Sequence, residues 1–493
     1  MLVTVDSMRR MEKKAMEAGL SGRLLMENAA SAAHRAILSY HPTGVVVLCG
    51  KGNNAGDGFA VARRLFIRGV PTEIVLLSDP ALLPPDAAAN YTLAATLGVP
   101  ITPWEAFSQN PDGRLLVDAL FGIGLHGEVS GTYAAAIRWM NDAPSPVVSL
   151  DIPSGIDGDT GKVHGLAVHA DCTVTFGLAK LGLYSPLSAD YVGKVIVEDI
   201  SIPRPKQNPH FLLKKEDLSL PAMSRAAHKG LWGRAAILGG SDGMAGSVYM
   251  ATRAAEMSGA GLVTAIVPES LMPAMMARLT GAMCRTDLPS SDALLVGCGL
   301  GRTADARHRL LTALKAPVKT LVIDADGLYH LTPDDFSQTN AAVIITPHIG
   351  EMARLCGLSA QAVTENRVSL AMDFATRYQI TVVLKGAYTV VALPDGTTYT
   401  NITGNEGMAK GGSGDILAGL ICGLAASGAK MPARTGVYLH GLAGDMAAQK
   451  VAKRALHAEI LLKFLPDAIK CMEDGFSVQN SIEANPYHGI NYI

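Results

Sequence analysis

Two α/β domains, each built on an open, doubly wound parallel sheet, are what the 493-residue sequence predicts. Three observations carry that reading. Short, near-continuous apolar runs end in Gly, Asp or Asn, as strands covered on both faces do. Amphipathic helical stretches such as FAVARRLFIRG and GTYAAAIRWMND alternate with them. The alternation breaks once, at the polar, Pro-rich SIPRPKQNP (201–209), and then resumes with unrelated residues.

In chain order, the N-terminal MLVTVDSMRRMEKKAMEAG predicts an amphipathic helix capped by Asp6 and Ser7, with Met8, Met11 and Ala15 inward. Five strands follow: 44–50, 72–78, 115–122, 146–153 and 171–177. Beyond the linker come 233–241, 261–268, 293–301, 320–327, 342–348 and 381–386. A hairpin over 389–401 turns at Asp395-Gly396. A Gly-rich loop and the apolar helix DILAGLICGLAASG complete the second series. The expected domains are 1–215 and 216–493.

Composition narrows the class. A formal net charge of −2 excludes a broad nucleic-acid surface. The seven cysteines are scattered, odd in number and never in a C-x-x-C pair, the usage of reduced, packed thiols. No stretch approaches the ~20 apolar residues that span a bilayer, and the N-terminus lacks a signal-peptide core. A cytoplasmic protein without membrane partners is expected.

The first chemical constellation begins where strand 44–50 runs into GKGNNAGDGFAVARRL. Gly50, Gly52 and Ala55 satisfy G-x-G-x-x-G/A formally, a weak dinucleotide signal. Asp57 argues against an ordinary dehydrogenase, because it would repel a pyrophosphate at the helix N-terminus. Asp118 (VDALFGIGLHGE) and Asp151 (LDIPSGIDGDTG) end two further strands, and strand ends of an open parallel sheet line one crevice. Asn54, Asp118, Asp151 and Ser154 therefore converge. Oxygen ligands without His or Cys suit an alkali or alkaline-earth cation, and a carboxylate there can move protons.

GNNAGDG, VDALFGIG and LDIPSGID, in this order, resemble the NAD(P)HX epimerase family, or YjeF N-terminal domains, over about residues 1–215. The resemblance implies a Rossmann-like three-layer αβα domain. It implies that Asn53, Asn54, Ala55, Gly56 and Asp57, with Gly122, Ile123, Gly124, Leu125, His126, Gly127 and Glu128, hold hydrated NAD(P)H. Asp151 would touch the nicotinamide part and act as acid/base, while Asn54, Asp118 and Ser154 bind potassium. Ala55 stands where that family commonly has Gly, and His126-Gly127 where basic residues are frequent.

The second constellation is GNEGMAKGGSGDILAGL (404–420). Gly411, Gly412 and Gly414 leave backbone N–H groups open at a helix start, an anion hole for a phosphoryl group. Asp415 follows in the first turn, suited to accept a proton from an attacking hydroxyl. No G-K-[ST] closes the loop, so it is not a Walker A motif. This G-x-G-D signature is similar to the ribokinase-like superfamily. With HKGLWGRAAILGGS, VGCGLGR, IDADGL, ITPHIGE and VLKGAYT, it resembles the ADP-dependent NAD(P)HX dehydratases, or YjeF C-terminal domains, over about 220–470.

That resemblance implies a C-terminal ribokinase-like αβα domain in which Lys385, Gly386, Ala387, Tyr388 and Thr389 bind ADP together with Asn405, Glu406, Gly407, Met408, Ala409, Lys410, Gly411, Gly412, Ser413 and Gly414. Ala245, Gly301 and the run His348, Ile349, Gly350, Glu351, Met352, Ala353 and Arg354 would line the hydrate site, with Asp415 as base. Glu406 replaces a usual Pro and should face solvent; Lys410 replaces a usual Thr and could add a phosphate contact. Together the resemblances imply a metabolite-repair enzyme with two activities, epimerising the hydrates and dehydrating the S form, with potassium, ADP with Mg2+, and assembly as a homo-oligomer. Rival readings are a ribokinase-type small-molecule kinase, a first domain that only binds a partner, and a plain NAD-dependent dehydrogenase.

Overall fold

The structure, a computed structural model, describes residues 1–474 other than 126, 206, 224 and 227. The chain divides into two units, Met1–Asn208 and Pro209–Ile493. Both are α/β units wound around a largely parallel sheet. The expected boundary at 215/216 lies inside the second unit, because His210–Leu212 pairs with Thr398–Thr400 at that unit's sheet edge.

In the first unit seven parallel strands run, from edge to edge, Ile101–Pro103, Thr72–Leu76, Val45–Cys49, Leu115–Ala119, Val147–Leu150, Cys172–Phe176 and Lys194–Glu198. The pleat sends alternate side chains to opposite faces. Val45, Val47 and Cys49 join the core under helices Gly22–Leu38 and Asn53–Ile67. Val46 and Leu48 meet Ala136, Ile137 and Met140 of helix Gly131–Asp142 on the other face. Three layers result.

The N-terminal helix, Val5–Glu17, buries Met8, Met11 and Ala15. Its cap differs from expectation: the Thr4 hydroxyl accepts from the Ser7 amide at 3.1 Å, and Asp6 stands inside the first turn, paired with Arg10. The cause is a strand too short to read from sequence. Leu2–Val3 pairs in parallel with Ala179–Lys180, so the chain must turn into the helix at Thr4.

The second sheet has ten strands, in the order His210–Leu212, Thr398–Thr400, Val390–Ala392, Thr381–Leu384, Ala342–Ile345, Thr320–Ile323, Ala293–Val296, Arg234–Leu238, Leu262–Ile266 and Met283–Arg285. Only the pairings of Val390–Ala392 with its two neighbours are antiparallel, and one of those is the hairpin turning at Asp395-Gly396. Ala235 and Ile237 pack under helices Ala245–Met257 and Ser413–Ala426. Ala236 and Leu238 pack under Ala304–Leu314 on the opposite face. Glycine lets two of these helices touch backbone to backbone. A Cβ on Gly419 would lie 2.0 Å from the Ala251 carbonyl oxygen. That approach fixes the height of the Ser413–Ala426 helix, and with it Asp415. Among the described residues no helix is long and apolar enough to cross a membrane.

Gly155 ties the first fold to its loops: φ is +101°, and a Cβ there would lie 2.1 Å from the Leu166 carbonyl oxygen. Gly19 has the same φ but open space around it. Gly155→Ala should cost about 3 kcal/mol or more, adding close contact to backbone strain, against about 1 kcal/mol for Gly19→Ala. Denaturant unfolding of the two variants checks this; equal losses would contradict the packing argument.

Candidate active sites at the two switch points

Each sheet reverses its winding direction once, and ligand crevices open at such points. In the first unit the reversal lies between Val45–Cys49 and Leu115–Ala119. Gly50 permits it, since a Cβ there would stand 2.2 Å from the Leu120 carbonyl oxygen. The helix beginning at Asn53 follows Gly52, and no side chain caps its first amides. Above this end opens a cleft of about 780 Å³.

Of the sequence-predicted residues, Asn53, Asn54, Asp57, Gly122, Ile123, Gly124, Leu125, Glu128 and Asp151 line that cleft. Ala55 and Gly56 do not. Helical periodicity turns Ala55 into the core, fully buried, and a Cβ on Gly56 would meet the Met26 sulfur at 2.6 Å. Gly127, with φ +77°, is not among the lining residues, and His126 lies outside the described residues. Four charged lining residues carry no signal in the sequence: Arg9, Glu12, Lys51 and Asp86. Arg9 donates to the Ile123 carbonyl at 2.8 Å, so the N-terminal helix holds the 122–125 loop.

Asp151 ends its strand in the left-handed region, at φ +66°, with its amide donating to the Val174 carbonyl at 2.8 Å. A buried lysine, Lys180, pairs with its carboxylate. Glu12 and Asp57 face the same charges. Burial, then the neighbouring Asp151, raises both above the ordinary carboxylate range, Asp57 by far the more. Three carboxyls of the cleft thus face one ammonium buried behind Asp151.

Asp118 and Ser154 lie beneath the cleft rather than on its wall. Asp118 is 0% exposed and accepts from the Ser149 hydroxyl, the Ser154 amide and hydroxyl, and the Leu120 amide, at 2.6–3.2 Å. All four donors are neutral, and among the described residues Asp118 has no cationic partner. Beside it, the Asn54 amide nitrogen reaches the carbonyls of Phe121 (2.8 Å) and Leu150 (3.2 Å), while Asn54 Oδ1 is buried and unpartnered. An uncompensated buried carboxylate next to an orphaned amide oxygen is a donor set that fits a bound cation with oxygen ligands.

In the second unit the reversal lies between Arg234–Leu238 and Ala293–Val296. Asp415 stands in the first turn of helix Ser413–Ala426, whose cap, Gly412, has φ +89°. Its carboxylate, that of Asp324 and the Cys298 thiol lie within 4.8 Å of one another. Burial and then Asp324 raise the Asp415 carboxyl above its usual range. Lys385 pairs with Asp324, which is 1% exposed. A Cβ on Gly414 would lie 3.4 Å from the Lys385 ammonium. Gly411 is exposed with nothing within 4 Å. Backbone amides, an ammonium and a desolvated carboxyl therefore meet at one helix N-terminus.

Two residues invisible as site residues in the sequence hold these loops. Arg367, 4% exposed, donates to the carbonyls of Ala387 (2.7 Å) and Leu384 (3.2 Å), bracing Lys385 to Thr389, where Gly386 and Tyr388 take φ +142° and +54°. Asp445 accepts from the Gly404 amide (2.8 Å) and the Asn405 side chain (3.1 Å). Glu406 faces solvent, paired with Lys453 at 2.9 Å. Lys410 donates to the Arg454 carbonyl. Met408 tucks its sulfur 3.2 Å from where a Gly404 Cβ would stand, and Ser413 meets His440 Nε2 through its carbonyl at 2.9 Å. Burial lowers His440 to about 4, so the ring is a neutral donor.

The run from His348 to Arg354 divides by helical phase. Met352 (0% exposed) and Ala353 (7%) point into the core and do not line a site, and Ile349 packs against that core. His348, Gly350, Glu351 and Arg354 line a recess of about 240 Å³ with Arg302, Asp326 and Tyr329. His348 was expected to contact substrate. Its Nδ1 caps the helix Ile349–Cys356, accepting from Gly350 (3.0 Å) and Glu351 (3.3 Å), and its Nε2 stands 3.4 Å from Glu351 Oε1. Arg354 donates to the Leu328 and Leu331 carbonyls, the latter at 2.9 Å. Gly301, φ +84°, donates its amide to Asp326 at 2.9 Å, and Ala245 opens the helix that follows strand Arg234–Leu238.

Burial raises the Glu351 carboxyl to about 7. The folded state therefore holds a proton the unfolded state releases, so Glu351 weakens stability as pH rises from about 4.5 to about 7. Glu351→Gln should stabilise the protein at pH 8 and not at pH 4. Thermal melts at the two pH values check this; a gain of equal size at both would contradict it.

The family model described as YjeF-related protein N-terminus matches residues 22–182, and that described as NAD(P)H-hydrate dehydratase matches 235–467. A bifunctional NAD(P)H-hydrate repair enzyme Nnr of Moorella thermoacetica is 38% identical, over 96% of this chain and 97% of its own. The enzyme of the same name from Coxiella burnetii is 36% identical, over 93% and 97%. Among solved structures, an ADP/ATP-dependent NAD(P)H-hydrate dehydratase from Bacillus subtilis, co-crystallised with ATP and Mg2+, aligns with TM-score 0.50 and 30% identity. That alignment covers 53% of this chain and 98% of that one. Two switch-point sites, two matching family models and relatives that span both units lead to one conclusion: the chain belongs to the family of bifunctional NAD(P)H-hydrate repair enzymes.

Proposed function

We propose that this chain returns hydrated NADH and NADPH to the working cofactors, its first unit interconverting the R and S hydrates and its second dehydrating the S form at the expense of ADP. The observation that carries the reading is the pairing of two different proton-handling carboxylates, Asp151 and Asp415, at the switch points of two successive sheets.

In the hydrate the added hydroxyl sits on the carbon bonded to the ring nitrogen, so it is a hemiaminal. Asp151 takes the hydroxyl proton; the carbon–nitrogen bond opens with its electron pair on nitrogen as a carbonyl forms. Asp151 returns the proton to that nitrogen. Rotation and the reverse steps close the ring on the other face, with no net change of atoms or electrons. Asn54, Asp118 and Ser154 would hold potassium, whose charge balances buried Asp118 and keeps the loops that carry Asn54 and Phe121 in register.

In the second unit Asp415 accepts the S-hydrate hydroxyl proton as its oxygen attacks the terminal phosphoryl group of ADP, releasing AMP. The open amides of Gly411 to Gly414 and the Lys385 ammonium receive the transferring charge. The ring nitrogen's electron pair then expels phosphate, and loss of a proton from the adjacent carbon restores the dihydropyridine. Asp324 and Asp415, whose carboxylates lie together, are the residues that would hold Mg2+, which would offset the charge of the nucleotide's phosphates. The Bacillus subtilis relative's use of either nucleotide leaves ATP as a second donor to test. Assembly as a homo-oligomer belongs to the same reading. A small-molecule kinase would instead accumulate a phosphorylated product, and free phosphate with NADH distinguishes the two.

Asp415→Asn should lower ADP-dependent recovery of NADH at 340 nm from the S hydrate by about 10²-fold or more and spare epimerisation. Asp151→Asn should do the reverse, and Asn tolerates the left-handed backbone there. Intact dehydration in Asp415→Asn would overturn the assignment. Exchanging potassium for tetramethylammonium should slow epimerisation and leave dehydration of the S hydrate unchanged; chromatography of the two hydrates reads the first, absorbance the second.

A further inference from the structure

Lys180 lies behind Asp151 rather than in the cleft. Its side chain is 2% exposed, against 13% for Asp151, and it is not among the lining residues. A lysine ammonium has three N–H donors, and here each has an acceptor. One goes to Asp151 Oδ1, one to the Thr175 hydroxyl at 3.1 Å and one to the Phe176 carbonyl at 3.0 Å. The Thr175 hydroxyl itself stands 3.4 Å from Asp151 Oδ1. Saturated and walled off, Lys180 has no proton to hand to a substrate.

Its effect is on the two oxygens of Asp151, which it makes unequal. Oδ1 has the ammonium and the hydroxyl. Oδ2 accepts no hydrogen bond among the described residues and points at the substrate loop, 3.5 Å from where a Cβ on Gly122 would stand. The backbone on both sides is fixed. Asp151 is held by its own amide bond to Val174, and Lys180 by the pairing of Val3 with it in the two-stranded N-terminal sheet. Charge requires the lysine as well. Glu12 and Asp57 crowd the same carboxylate, and Arg9 faces Glu12 and donates to the Ile123 carbonyl.

We propose that Lys180 is a positioning residue for epimerisation, clamping Oδ1 of Asp151 so that Oδ2 alone is presented, charged and aimed, to the hydroxyl of the hydrate. The inference rests on the epimerase reading of the first unit. Thr175 is the second jaw of the clamp.

The test uses the full chain without ADP, following conversion of the separated R hydrate by chromatography. Lys180→Met should lower kcat by about 10²-fold or more while KM stays within about threefold, because the lost group acts on the base and not on binding. Thr175→Val, which keeps shape and removes the hydroxyl, should lower kcat by about three- to tenfold with KM unchanged. ADP-dependent dehydration of the S hydrate should be unaltered in both. Lys180→Met with wild-type kcat, or with a raised KM alone, overturns the inference. If that variant does not fold, an unchanged kcat in Thr175→Val overturns it. A wild-type chain that cannot interconvert the hydrates would instead defeat the epimerase reading itself, an outcome separable from the others.

Discussion

A parallel sheet can be wound outward from its starting strand in one direction only until the chain returns to that strand and proceeds the other way. Where it does so, two neighbouring strands send their following segments to opposite faces, and no helix covers the gap between them. Both units depend on this constraint. In the first the gap separates the loops after Cys49 and Ala119; in the second it separates those after Leu238 and Val296. The candidate sites are arranged around these two gaps, and glycines let the facing loops approach across them: a Cβ on Gly50 would stand 2.2 Å from the Leu120 carbonyl oxygen, and one on Gly239 2.3 Å from that of Cys298.

The two gaps solve one electrostatic problem in related ways. Each buries carboxylates at strand ends and sets a lysine against one of them: Lys180 against Asp151, Lys385 against Asp324. Burying a charge costs several kcal/mol unless it is paired and hydrogen-bonded. The pairings make such carboxylates tolerable, and Asp118, with no cationic partner among the described residues, rests on neutral donors alone. The second unit differs in that the unpaired partner, Asp415, sits on a helix rather than a strand end, where the open backbone amides are also available.

Much of this was legible in the sequence, for a physical reason. Interior parallel strands are apolar on both faces, so Val45–Cys49 or Ala293–Val296 announce themselves as runs. Edge strands are not buried that way. Lys194–Glu198 has no fully buried residue, and Met283–Arg285 is three residues long, so neither stands out as an apolar run. Motif residues at the switch points could be named from the loops that carry them. Their partners could not, because Lys180, Arg367 and Asp445 lie 17 to 41 residues from what they hold and sit in an unremarked short strand or ordinary helices. The one local signal that could have found Lys180 is its charge within the apolar stretch TFGLAKLGLYS, an isolated cation with nothing nearby to solvate it. Within the helix beginning at Ile349 the run was read too broadly, since a contiguous motif on a helix always sends some of its members inward.

Asp151 joins two demands that seldom coincide. Its backbone takes a left-handed conformation that, among L-residues, Asn and Asp tolerate best and that Gly enters freely. Its side chain must carry a charge to meet Lys180. Glycine and asparagine satisfy the first demand and fail the second; glutamate satisfies the second and fails the first. The position therefore has no neutral neighbours in sequence space. Drift that elsewhere passes through similar residues is closed here from two independent sides, so backbone and charge together hold an aspartate at this strand end.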